Sequence, residues 1–171
     1  FVPVVLGGEI TPNALEITAQ PGNTVSFVQR WTATGNVTDR GNITVYGIPA
    51  GWSVKVYRTP DLLPIGATAG TVTCPSGCTL LATESGGDRS ILHNNDTIEA
   101  TADTGGDGIP DTGDLTPPGG AMTVILEVTL PAGASGGVFT LRERGSSNYD
   151  WTARKLSDPL LPYNDDSVFH D

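Results

Sequence analysis

The sequence predicts an all-β protein, an antiparallel sandwich of about eight to ten strands. Two observations carry that expectation. Apolar side chains alternate with a two-residue period in short runs, and turn residues separate one run from the next. A third observation removes the competing class. With 22 glycines and 13 prolines in 171 residues, and no helical period sustained over a dozen positions, long helices are disfavoured throughout.

In chain order, "NTVSFVQRWTAT" directs Val25, Phe27 and Trp31 to one face, and "NITVY" follows as a second run. "WSVKVYR" places Trp52, Val54 and Val56 inward and Lys55 outward. The inward positions of Trp31 and Trp52 suit core packing better than a sugar-binding platform. Segment 59–90 is the least regular stretch and reads as an excursion between strands. "TIEATA" is a further short strand. The clearest of all is "AMTVILEVTL", where Met122, Val124, Leu126, Val128 and Leu130 face one way and Thr123, Ile125, Glu127 and Thr129 the other. "GVFTLRER" reads as the last strand. The organisation expected is an apolar arm at 1–10, a sandwich over 11–156 that contains the 59–90 excursion, and a tail at 157–171.

Nine basic residues face nineteen acidic ones, a net charge of -10. That charge argues against nucleic acid and against anionic membrane surfaces as partners. No run approaches the ~18 apolar residues of a membrane span. The only methionine is Met122, so the chain reads either as a fragment or as one from which an N-terminal segment was removed; the expectation is a secretory signal and an extracellular or cell-surface location. Cys74 and Cys78 in "TCPSGCT" lie across a tight turn, where disulfide geometry is reachable. A zinc site would need two more ligands, and His93 and His170 stand isolated in sequence. A disulfide agrees with export. The sequons at Asn36, Asn42 and Asn95 are permissive for N-glycosylation.

No nucleophile elbow or other catalytic motif is present, so the chain is not read as an enzyme. One loop carries candidate metal chemistry. "DTGGDGIPDTGD" sets Asp103, Asp107, Asp111 and Asp114 at positions 1, 5, 9 and 12 of a Gly-rich loop. Calcium takes six to eight hard oxygens, which such loops supply. Position 3 is Gly105 and position 12 is Asp rather than Glu, and Pro110 removes a backbone donor. The competing reading is a turn whose aspartates accept hydrogen bonds from their own backbone. Calcium is the one candidate cofactor, and none is required.

Taken together, "PGNTV", "TGN" at 34–36, "PAGW" at 49–52, "LTPPGG" at 115–120 and "LPAG" at 130–133 resemble the Ig-like sandwich repeats of bacterial and archaeal surface proteins. The resemblance covers residues 11–145 and is one of turns and strands. It implies an Ig-like β-sandwich and says little about activity.

The N-terminal segment "FVPVVLGGEI" alternates Val2, Val4 and Leu6 against Phe1, Pro3 and Val5, ahead of a Gly7-Gly8 pivot. It could pair with its own sheet, or leave and complete the sheet of a neighbour. A single exported Ig-like domain with such an arm resembles the subunits of donor-strand pili. That resemblance implies a donor strand of Phe1, Val2, Val4, Val5, Leu6 and Ile10. The expected function is a structural subunit of an extracellular pilus-like filament, a homopolymer built head to tail. The alternative is a non-catalytic adhesive or carbohydrate-associated module of a larger surface protein, with cell-surface or matrix glycans as partners.

Overall fold

The computed structural model describes residues 3, 8–86, 97–98, 104, 110–117 and 119–147. Among these residues the chain forms ten strands and no helix: β1 (Gly8–Thr11), β2 (Thr24–Ala33), β3 (Asp39–Tyr46), β4 (Ser53–Thr59), β5 (Gly66–Ala69), β6 (Thr79–Ser85), β7 (Thr97–Ile98), β8 (Asp111–Leu115), β9 (Ala121–Thr129) and β10 (Arg142–Ser147). Accordingly, no helix among them is long and apolar enough to cross a membrane.

The strands form two antiparallel sheets, as alternation requires. The large sheet runs β1-β2-β9-β4-β6-β7, and the small one β10-β3-β8. β2, β9 and β4 are its spine, with Val25 opposite Val128 and Val56 opposite Leu126. Their apolar residues meet those of the small sheet in one core. Val25, Trp31, Val54, Val56, Val124, Leu126 and Val128 come from the large sheet, and Ile43, Val45 and Leu115 from the small one. This is the arrangement of a β-sandwich. Trp31 and Trp52 are both buried, at 3% and 8% exposure, as their inward strand positions predict.

Three features differ from the pattern read along the chain. Within 59–90, β5 and β6 are regular strands, and both belong to the large sheet, β5 by pairing with β2. The outer face of that sheet is not solvent-facing throughout. Val28, Ile125 and Cys74 form a second buried cluster with Tyr57, Leu63 and Val72, so the excursion lies over β2, β4 and β9 as a cover. Burial there raises the Tyr57 hydroxyl above its ordinary range, with the Glu127 charge adding to the effect. Finally, β10 begins at Arg142 rather than near Gly137. Val138 stands exposed before it, and the Phe139 ring lies 4.9 Å from that of Trp52, centroid to centroid.

Candidate functional site

The N-terminal region is built on one edge of β2. β9 occupies the other edge from Thr24 to Thr32. The near edge is divided between two short strands. β1 pairs with Arg30–Ala33, and β5 with Val25–Val28. Ser26 Oγ donates to Gly70 O at 2.7 Å, and Gly70 N to Thr24 O at 2.8 Å, which fastens the end of β5.

β1 is held by shape. Its Gly8 lies over the indole of Trp31, and Gly41 of β3 and Gly145 of β10 approach the same ring from the opposite sheet. A Cβ on any of the three would collide with indole carbons. Glycine at position 8 therefore has a packing reason, whatever pivot the Gly7-Gly8 pair provides. Ile10, opposite Trp31 in the ladder, packs against the core of its own chain. The pilus resemblance groups Ile10 with the donor strand; it lies in β1 of its own sheet. Phe1, Val2, Val4, Val5 and Leu6 lie outside the described residues. Pro3 is exposed, and its carbonyl accepts from Asn36 Nδ2 at 2.8 Å, beyond the Ala33 end of β2.

Beyond β1 the chain turns at Pro12, whose carbonyl accepts from Gln29 Nε2 at 3.1 Å. It then returns to β2 through residues 13–23. Leu15, Ile17 and Ala19 are half-buried, whereas Ala14, Glu16, Thr18 and Gln20 are exposed. Ile17 and Ala19 pack against the inter-sheet core. That is the alternation of a strand, in a segment that joins no ladder.

Of the candidate calcium ligands, Asp103 and Asp107 lie outside the described residues. The other two are engaged with arginines on different surfaces. Asp111 is fully buried, and its backbone carbonyl accepts from Arg58 Nη1 of β4 at 2.8 Å, with Oδ1 at 3.4 Å from the same nitrogen. Its Oδ1 also accepts from Thr104 Oγ1 and from Gly113 N, both at 2.7 Å. The Gly113 contact is the backbone-capping bond of an Asx turn. Gly113 is left-handed (φ 74°), a conformation that disfavours a side chain there, and it lies beside the Arg58 head. Asp114 is exposed, with Oδ1 2.7 Å from Arg40 Nε, its cross-strand neighbour on β3. Among the described residues no three His, Cys, Asp or Glu side chains converge as metal ligands would.

Cys74 and Cys78 are joined in a disulfide, as their spacing predicts. It closes the turn of the outer cover. Ser76 N, within that turn, donates to Asp61 Oδ2 at 2.8 Å, and the Ser76 bonds hold the exposed Asp61 carboxyl below its ordinary range. The sequons diverge. Asn36 is exposed, Asn42 is 2% exposed and sealed within β3, and Asn95 lies outside the described residues. A folded domain has no room for a glycan at Asn42.

One polar group has no explanation in sequence. Glu143 of β10 sits opposite Val45 and on the side of β10 that carries Gly145, facing the interior. Both carboxyl oxygens are buried and meet no hydrogen-bond donor among the described residues, although the side chain as a whole is only partly buried. Burial pushes this carboxyl from 4.5 up to about 8. A protonated, neutral Glu143 is the form such a position favours.

No family model, no curated protein and no solved structure matches this chain.

Proposed function

We propose that this protein is a structural subunit of an extracellular, pilus-like filament, in which the apolar N-terminal arm of each copy completes the sheet of the next. The Ig-like assignment of the sandwich is part of the same reading. The observation that supports it most directly is the geometry around β1. The chain enters the sandwich through a short, glycine-locked edge strand, and Pro3 ahead of it is bonded to Asn36, beyond the Ala33 end of β2. An apolar, uncharged segment ahead of an edge strand is suited to burial in a neighbour. Each fully buried Val or Leu contributes roughly 1.5 to 3 kcal/mol, and ladder hydrogen bonds set the register. A contact of this kind joins unlike surfaces and does not close, so it propagates. The function is association, with no turnover.

The test is deletion of residues 1–6, which leaves β1 and its Trp31 contacts intact. The shortened chain is expected to fold with an unchanged melting transition and to remain monomeric by sedimentation, while the full chain forms filaments under the electron microscope. Filaments from the shortened chain would refute the reading.

A further inference from the structure

The 14–20 segment continues from the end of β1 toward the Thr24 end of β2. β1 runs antiparallel to β2, from Gly8 opposite Ala33 to Thr11 opposite Arg30. The arm precedes Gly8 in the chain. The 14–20 segment follows Thr11 and returns toward Thr24, where Asn23 N donates to Gln20 O at 3.1 Å. Along the strand axis, Ala33 and Thr24 are roughly 30 Å apart at about 3.3 Å per residue. β1 stands between, so an arm continuing its own strand direction moves away from its own 14–20 segment.

That segment is an open strand edge in all but pairing. Its burial alternates, and Ile17 and Ala19 hold it to the core. Among the described residues, 14–19 take part in no ladder and no backbone hydrogen bond. Edges are normally protected by charges, prolines or bulges. Here Pro12 and Pro21 flank the stretch, and Glu16 is its one charged residue. The neighbouring edge of β2 is already filled by β5 and is not available.

We propose that the backbone edge of residues 14–20 is the seat for the arm of a second copy, residues Phe1–Leu6. This rests on the filament reading and names its acceptor. Length matches, six residues against seven, and the arm carries no charged side chain. Pro3 dictates which side of the arm pairs. In a strand, the N–H and C=O of alternate residues point the same way. With Val2, Val4 and Leu6 bonded to the edge, Pro3 faces outward and its missing N–H costs nothing. An arm that precedes β1 and an edge that follows it are unlike surfaces, so their pairing gives a head-to-tail chain.

The experiment compares three variants with the parent, each checked by its melting transition. They are the 1–6 deletion, Thr18→Pro and Ala19→Pro. The two prolines remove N–H groups pointing to opposite sides of the segment, so one of them strikes the pairing side. That one is expected to raise the critical concentration for assembly about tenfold, equivalent to about 1.4 kcal/mol. If both proline variants fold and assemble like the parent while the deletion does not, the acceptor is wrong and the filament reading stands. If the deletion assembles, the filament reading itself fails. A proline variant that does not fold is replaced by hydrogen exchange on the parent. Amides within 14–20 are expected to gain protection on assembly, and their continued rapid exchange in filaments would overturn the proposal.

Discussion

Leu126 and Ile125 are adjacent on β9, both almost wholly buried, and covered by different kinds of structure. Leu126 faces the inter-sheet core, where side chains from both sheets interdigitate and three glycines make room for one indole. Ile125 faces outward and is roofed by Leu63, Val72 and the Cys74 turn. That roof is irregular chain fastened at points. Arg30 Nη2 donates to Leu63 O at 2.7 Å, Thr123 Oγ1 donates to Asp61 O, and the disulfide closes the turn. The inner face is specified by shape and the outer one by tethers. Shape is intolerant of added volume, whereas a tethered roof can settle when volume is removed.

The largest expected effect strikes the inner face. Gly145→Ala sets a methyl group inside the space of the Trp31 ring, which Gly8 blocks on its other side. Overpacking against a rigid ring costs about 3 kcal/mol or more. A clear fall in the urea midpoint at unchanged slope is the expected result. An alanine tolerated within about 0.5 kcal/mol would show that the indole can retreat, and the contrast between the faces would lose its main support.

Glu143 gives the inner face a second, pH-dependent signature. Its carboxyl rises from 4.5 to about 8 on folding. Between those values the unfolded chain releases a proton that the folded chain keeps, so stability falls as pH increases. The contribution is fully present below about 4.5 and lost progressively up to about 8. Glu143→Gln keeps the volume and removes the titration. It is expected to stabilise the protein on the order of 2 kcal/mol at pH 7 and by much less at pH 4. Melting curves across this range check the prediction; a parallel pH dependence in parent and variant would assign the slope to other groups.

How far these features were legible in sequence follows the same division. The alternation of residues 122–130 predicts the inward set of β9, and the tryptophan positions follow from theirs. Local periodicity is enough for that. It could not show that Ile125 is covered, because an outward Ile is the same letter under a roof or under water. Nor could it show the Trp31 cradle. Gly8, Gly41 and Gly145 are far apart in the chain, and each alone reads as a turn or a pivot. The division of the β2 edge between β1 and β5 likewise depends on which segments arrive there. In the aspartate loop the i to i+2 spacing permits the Asx bond found at Asp111. Arg58, which comes from the other sheet, is a partner no spacing announces.

The smallest effect separates the faces most cleanly, because it is a coupling. Replacing both cysteines by serine relaxes a loop of four-residue separation, at a cost of about 2 kcal/mol in the chain-entropy model. Ile125→Ala and Leu126→Ala each delete buried methyl groups, at about 2 to 5 kcal/mol apiece. If the disulfide holds the roof rigid over Ile125, the cavity left by alanine cannot close while the bond is intact. Without it, Leu63 and Val72 can settle into the gap and part of the penalty disappears. A double-mutant cycle is therefore expected to give a coupling of about 0.5 to 1 kcal/mol between the cysteine pair and Ile125. For Leu126 the same cycle is expected to be additive within about 0.3 kcal/mol, since its neighbours lie on the far side of β9 from the turn. Equal couplings at the two positions would mean that the disulfide acts through the sheet as a whole, and that the outer cover is as much core as the inner one.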